Sequence, residues 1–215
     1  CLGAMKAQIW LTGFEPFGRH ADNPSQQLVE HLLNTTRTHH IERSDTELAP
    51  ASVEMTFSGA ILSVDEAGSR LSCEHLTDFD AIVHVGLHES SEKIRFEMCA
   101  TNECNFRIAD NSGRQISQTP IVEFGDIELH TTANRHSIEN SFSSNDGVII
   151  SDDCGRFVCN ETYYRTLHSI KTQQLESEEK ALPAIFVHIP SFNHISAEVQ
   201  LDILCELCAH IVLNP

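Results

Sequence analysis

Apolar positions recur along this chain with two different spacings, and the spacing switches from segment to segment. Ile9 to Thr12, Ala81 to Val85, Val148 to Ile150 and Ala184 to Ile189 are short, β-branched or continuous apolar runs of the kind that form buried strands. Between them, Pro24 to Leu33, Met55 to Ala67, Thr131 to Phe142, Phe157 to Ile170 and Ser196 to Leu213 carry apolar residues at helical spacing and predict helices. Asn23 is the expected cap of the first helix, and Pro24 occupies the first turn, where its missing N–H costs little. Ile94 to Thr101 and the stretch near Arg107 predict strands or a hairpin, and Ser112 to Leu129 an irregular surface excursion. Strands alternating with helices predict an α/β fold, a three-layer α/β/α sandwich around a mixed, mostly parallel sheet. Residues 5–215 show no internal repeat and no dividing linker, so they read as a single domain; Cys1 to Ala4, ahead of Met5, read as an expression scar.

Composition narrows the class. The 215 residues are 40% hydrophobic, enough to bury a sizeable core, and no apolar run reaches the ~18 residues of a membrane span. A formal charge of −17, from 31 acids against 14 bases, argues against nucleic acid and anionic membrane surfaces as partners. The acidic tract Glu176-Ser177-Glu178-Glu179 reads as a solvated loop or helix end. Eight scattered cysteines without a disulfide framework, and no secretory signal, predict free thiols and a cytoplasmic location.

One of those thiols stands out. In Gly155-Arg156-Phe157-Val158-Cys159-Asn160 a strand gives way to a helix, which places Cys159 at a helix N-terminus, where unpaired N–H groups and the positive dipole end favour a thiolate. The competing reading is a small buried hydrophobe, the commoner fate of a cysteine. A nucleophilic thiol needs a base on a second rigid element. His188, followed by Ile189 and the strand-ending Pro190, lies at the carboxyl edge of a buried strand, where open α/β sheets place their ligand sites. Glu97, an isolated acid among Phe96, Met98 and Cys99, is the candidate carboxylate to orient the imidazole; the alternative is that it alternates outward on an edge strand.

Other chemistries are weaker. Thirteen histidines suggest a metal, but neither His39-His40 nor the pair His84 and His88 has a third ligand at recognisable spacing, so no metal and no cofactor is expected. Cys205 and Cys208 have C-x-x-C spacing inside a helical apolar pattern and read as buried helix-face residues. Gly13 and Gly18 lack the remaining glycines and the lysine of a phosphate-binding loop.

Three blocks carry a resemblance: Leu11-Thr12-Gly13-Phe14-Glu15-Pro16-Phe17-Gly18 with Asn23-Pro24-Ser25, Gly155 with Phe157-Val158-Cys159-Asn160, and Phe186-Val187-His188-Ile189-Pro190. With Val85-Gly86, Glu97, Asn102 and Arg107-Ile108-Ala109-Asp110-Asn111-Ser112-Gly113 between them, the chain resembles type I pyroglutamyl peptidase over residues 6 to about 212. The resemblance implies a cysteine exopeptidase that removes N-terminal pyroglutamate (5-oxoproline) from peptides, with a triad of Glu97, Cys159 and His188 acting through an acyl-enzyme. It implies a ring pocket formed by Phe14, Phe17, Ile108, Phe157 and Val158 with Asn23 at its border, and a homo-oligomer, since family members are often dimers or tetramers. Backbone N–H groups near Cys159, helped by Arg107, are the expected oxyanion donors. Arg107 has the alternative role of a surface or structural ion pair.

Three positions depart from the family pattern. Leu87-His88-Glu89-Ser90-Ser91-Glu92-Lys93 replaces a glycine-rich stretch with arginine, Cys154 stands where a small apolar residue is usual, and Ala109 replaces a common proline. Two readings therefore stay open beside the peptidase: a catalytically impaired homologue that binds pyroglutamyl peptides, and a thiol amidase for another small acyl cap.

Overall fold

The structure, a computed structural model, describes residues 4–40, 52–74, 76–176 and 181–215. Its elements run β1 (Met5–Phe14), α1 (Pro24–Leu32), β2 (Thr36–His40), β3 (Ser52–Leu62), α2 (Glu66–Leu71), β4 (Ala81–Leu87), β5 (Ile94–Glu97), β6 (Cys99–Thr101), β7 (Glu128–His130), α3 (Arg135–Phe142), β8 (Val148–Ser151), α4 (Val158–Glu176), β9 (Ala184–Ile189) and α5 (Ala197–Leu213). Seven strands make one sheet in the order β2-β3-β1-β4-β9-β5-β8, and β6 pairs with β7 apart from it. β3, β1, β4 and β9 are mutually parallel, β2 is antiparallel on β3, and β5 runs antiparallel to β9 but parallel to β8. The sheet is mixed and mostly parallel, as its alternation with helices predicts. Residues 1–3 of the suspected scar and Ser177 to Glu179 of the acidic tract lie outside the described residues.

Alternation along the central strands decides which helices cover which face. Ile9, Leu11, Val83, Val85, Ile185, Val187 and Ile189 enter one core, closed by apolar residues of α1, α3 and α5; Ile82, Ala184 and Phe186 enter the other, closed chiefly by α4. On α1, Leu28, Val29 and Leu32 are buried, each contributing about 1.5–3 kcal/mol. The helix begins as expected, with Pro24 in its first turn and the Asn23 side chain accepting from Ser25 N at 2.9 Å.

Met55 to Ala67 does not form the expected helix. That stretch is mostly β3: Val53, Met55 and Phe57 are buried while Glu54, Thr56 and Ser58 are half-buried, a period of two that the following Gly59-Ala60-Ile61-Leu62 obscures. A helix starts only at Glu66, after the Asp65 carboxylate caps Gly68 N at 2.9 Å. The helix expected from Thr131 begins at Arg135, capped by Asn134. No strand forms at Arg107; the partner of β6 is β7, 27 residues further on by the pairing of Thr101 with Glu128. The excursion beyond Ser112 is also less superficial than expected, since Ile121 and Leu129 are buried and Thr119 bridges to Cys104.

His84, on β4, is sealed in the α4-side layer. Thr166 Oγ1 donates to Thr162 O and therefore accepts from His84 Nε2 at 2.9 Å, leaving Nδ1 to accept from Thr12 Oγ1 at 2.7 Å. Burial pushes its pKa down to about 3. Between that value and the ~6.5 of an unfolded histidine, the unfolded chain binds a proton that the native state refuses, so stability falls as pH falls. We expect urea unfolding to show a loss of about 2–3 kcal/mol from this group between pH 6.5 and 4.5, at about 1.36 kcal/mol per unit. The half-buried His88 and His210 act in the same direction. His84→Gln should flatten most of this dependence; an unchanged slope would assign it elsewhere.

Candidate active site

Ile94 and Phe96 of β5 point into the α1-side core, so period two turns Arg95 and Glu97 to the α4 side. On β9, Val187 and Ile189 likewise leave His188 on the α4 side. Arg95 pairs in register with His188 and Glu97 with Phe186, which brings carboxylate and imidazole together diagonally across two antiparallel strands. His188 Nδ1 meets Glu97 Oε1 at 2.8 Å. Glu97 is fully buried and β5 is interior to the sheet, which overturns the outward, edge-strand alternative. Burial pushes the Glu97 carboxyl up, but the bond and charge of His188, with Ser151 and Arg95, outweigh it and hold the carboxyl below its ordinary value. An ionised Glu97 only accepts, so His188 carries its proton on Nδ1 and offers Nε2 as a base.

Cys159 enters from the next strand over. β8 ends at Ser151, and the turn to α4 uses Gly155 at φ +81°, a left-handed conformation that L side chains resist; its N–H donates to Asp153 Oδ1 at 3.0 Å. Asn160 fixes the helix start, its side chain bonding the backbone of Thr101 and Glu103, while Tyr163 Oη donates to Glu97 O at 3.0 Å. The sulfur packs against Gly86 of β4. A Cβ there would lie 3.0 Å from Cys159 Sγ and 2.9 Å from the Phe186 ring, so only glycine leaves room for both.

The helix-end position does not make the resting sulfur a thiolate, contrary to expectation. Burial, with the nearby Glu97 charge, pushes the Cys159 thiol up to about 12 against the lowering effect of the helix-end backbone. No hydrogen bond joins it to His188. The Cys159 thiol and the His188 imidazole line one cavity, an arrangement that can turn the thiol into a nucleophile by proton transfer to Nε2.

These groups open onto a cavity of about 910 Å³. Cys159 and His188 line it together with Phe14, Phe17, Asn23, Arg107, Ile108, Phe157 and Val158; Glu97 lies behind His188. The sequence candidates thus converge, but not in equal roles. Phe17 packs on Phe157 with ring centroids 4.9 Å apart and planes tilted by 44°, forming an aromatic wall. Phe14 is the last residue of β1 and is buried beside Phe186 at 6.3 Å. The Asn23 amide is engaged by Ser25 and by Glu15 O. Ile108 is 40% exposed at the mouth.

Several contributors have no short-range sequence signal. Phe106 packs on Phe157 at 4.7 Å and carries the Arg114 guanidinium on its ring at 5.0 Å. Arg114 in turn binds Asp110 and the fully buried Glu161 of α4, at 2.9 and 2.6 Å, so the segment bearing Arg107 and Ile108 is tied to the helix that bears Cys159. His88, from the loop that departs from the family pattern, meets the His188 ring edge-on at 5.3 Å. Cys154 is buried on the cavity wall, and burial raises its thiol pKa. Arg95 was findable, because it shares a strand face with Glu97. Cys205 and Cys208 lie on α5 as expected, with Cys208 fully buried. Among the described residues, no group of three or more His, Cys, Asp or Glu side chains is arranged to hold a metal ion, and no helix is long and apolar enough to cross a membrane.

Residues 7–202 match the sequence model of the family described as pyroglutamyl peptidase. A pyrrolidone-carboxylate peptidase of Bacillus mycoides is 29% identical over 184 residues, covering 85% of this chain and 77% of its own. One from Vibrio parahaemolyticus is 27% identical over 216 residues, covering 96% and 93%. A solved mutant pyrrolidone carboxyl peptidase from Pyrococcus furiosus superposes with a TM-score of 0.76 at 23% identity, over 95% of this chain and 98% of that one.

Proposed function

Since this chain belongs to the pyroglutamyl peptidase family, we propose that its cavity receives the N-terminal pyroglutamyl residue of a peptide and that Cys159, His188 and Glu97 cleave the amide that follows. The observation that carries this reading is the buried Glu97–His188 bond of 2.8 Å, with its imidazole facing the same cavity as Cys159.

In the reaction, His188 Nε2 takes the thiol proton and the Cys159 sulfur attacks the pyroglutamyl carbonyl carbon. The carbonyl oxygen becomes an oxyanion beside the first-turn N–H groups of α4, which a helix leaves without carbonyl partners, with Arg107 at the cavity wall as a second source of positive charge. As the C–N bond breaks, His188 returns the proton to the leaving amine, and a thioester remains on Cys159. His188 then removes a proton from water as its oxygen attacks the thioester carbonyl; the C–S bond breaks, His188 returns that proton to the Cys159 sulfur, and pyroglutamate leaves. Glu97 holds the Nδ1 proton throughout and stabilises the imidazolium. A reduced thiol at the centre of this chemistry, and seven described cysteines all free, support a reducing compartment such as the cytoplasm.

The aromatic wall suits a flat, neutral lactam and disfavours a charged amino terminus, whose desolvation would go unpaired. The decisive experiment is turnover of pyroglutamyl amide against the matching prolyl and glutamyl amides under reducing conditions. Pyroglutamyl amide should be strongly preferred; binding without turnover would favour the impaired homologue, and preference for another cap the broader amidase. Phe17→Ala should shrink the preference about 2–10-fold, the equivalent of the roughly 0.5–1.5 kcal/mol of an aromatic pair, with little loss of stability. Phe14→Ala should instead destabilise the fold by about 3–5 kcal/mol, as a buried phenylalanine does. Unchanged selectivity in Phe17→Ala would move the ring pocket elsewhere.

A further inference from the structure

Arg95 shares a carboxylate oxygen with the imidazole. Its Nε donates to Glu97 Oε1 at 2.9 Å, the same atom that His188 Nδ1 reaches at 2.8 Å, while Glu97 Oε2 is buried without a partner. The other end of the guanidinium is anchored outside β5: Nη2 donates to Ser151 Oγ at 2.6 Å and to Asp153 O at 3.4 Å, at and beyond the end of β8. Arg95 and His188 are register partners on neighbouring strands, so both side chains stand on one face of the sheet. The other ionisable groups around them are Glu97, His88 edge-on to His188, Cys159 on α4, and Cys154 and Asp153 in the turn after β8. Asp153 is paired with Arg156, which also binds Glu103.

We propose that Arg95 is a positioning residue of the peptidase site, a fourth member behind the triad that clamps Glu97 to β8 and whose fixed positive charge limits how tightly Glu97 can hold the His188 imidazolium. Two consequences follow from one guanidinium. The fork keeps a carboxylate with only one engaged oxygen directed at Nδ1. Its charge opposes that of protonated His188 across the oxygen they share, so the imidazolium formed during acylation gives up its proton to the leaving amine more readily. The inference rests on the triad assigned above.

The test is a pH profile of pyroglutamyl-amide hydrolysis in the wild type, Arg95→Gln and Arg95→Lys, with iodoacetamide labelling of Cys159 followed over the same range. In Arg95→Gln the acid limb of kcat/KM should move up by about half a unit to one unit, because a charge that opposed His188 protonation is gone. Its kcat should fall about tenfold, the scale of one lost charge-assisted hydrogen bond, with KM within about twofold of wild type. Arg95→Lys keeps the charge without the fork, so its acid limb should stay near wild type while kcat falls. Wild-type kcat and acid limb in Arg95→Gln would overturn the proposal, as would a raised KM at unchanged kcat, which would make Arg95 a substrate contact. If Arg95→Gln does not fold, Arg95→Lys decides: wild-type kcat there overturns the clamp. The labelling profile needs no turnover. A wild type that labels at Cys159 but hydrolyses no pyroglutamyl amide would sink the substrate reading, and the acid limb of labelling in Arg95→Gln would still judge Arg95.

Discussion

Cys159→Ala is expected to fold and to leave no measurable turnover of pyroglutamyl amides, a loss on the order of 10⁴–10⁶-fold as for other members of catalytic units. Alanine removes the sulfur that forms the acyl bond in the proposed mechanism, while the cavity, the Glu97–His188 bond and the helix-end N–H groups remain. Cys159→Ser should be nearly as inert, since a hydroxyl gives up its proton far less readily than a thiol. Burial pushes the thiol up to about 12, so in the proposed mechanism its reactivity comes from proton transfer to His188. Stoichiometric iodoacetamide should therefore label Cys159 ahead of the rest, with loss of activity in proportion. Cys99, Cys104, Cys154 and Cys208 are buried with raised thiol pKa values, which leaves the half-buried Cys73 and Cys205 as the informative competitors among the described residues. Peptide mapping by mass spectrometry reads the order. Full activity in either variant, or labelling elsewhere with activity intact, would end the nucleophile assignment.

His188→Ala should lose on the order of 10⁴-fold in kcat, since it removes what the proposed mechanism uses as the base of acylation and the acid of amine departure. Glu97→Gln is the more discriminating change. A glutamine can turn its NH₂ toward Nδ1 and move the imidazole proton to Nε2, where it blocks the thiol, so a loss of about 10²–10⁴-fold is expected in a folded protein. Because Glu97 is held below its ordinary pKa, the acid limb of the wild-type profile should belong to the imidazole and should not carry a second carboxylate step. Circular dichroism and thermal unfolding distinguish lost chemistry from lost structure. If Glu97→Gln matched wild type between about pH 6 and 9, a range set around the ~6.5 of histidine, the carboxylate would serve only the fold.

The candidates that could be read from sequence share a property: their signal is local. The run from Val148 to Cys159 declares strand, turn and helix within a dozen residues, and His188 stands two places before the proline that ends its strand. Glu97 is 91 residues from His188, and its partner was legible only through resemblance, since spacing alone left it free to face solvent. Phe106 and the Arg114–Glu161 pair escaped because both sit where irregular backbone meets a helix, with no periodicity to mark a buried face. β3 was misread for a different reason. Its clean alternation from Val53 to Phe57 runs into four small or apolar residues, and a window spanning both resembles a helix. The protonation state of Cys159 could not be read locally either: the helix end was visible in the sequence, but the burial that outweighs it belongs to the assembled site.

β9, the last strand along the described residues, lies between β4 and β5 in the finished sheet. On a ribosome, the segment from Met5 to Glu97 can pair β3, β1 and β4 into one ribbon, but β5 has no neighbour on that ribbon to join. Until Ala184 to Ile189 arrives, β4 and β5 each hold open a row of unpaired N–H and C=O groups flanked by buried-type residues such as Val83, Val85 and Phe96. A nascent chain in that state is a template for pairing with its neighbours, so chaperone dependence and inclusion-body formation should peak for chains stopped just short of residue 184. The strand that closes this gap is also the one that delivers His188. On the proposed triad, activity cannot precede closure of the sheet, and its first appearance in a refolding experiment should follow the insertion of β9.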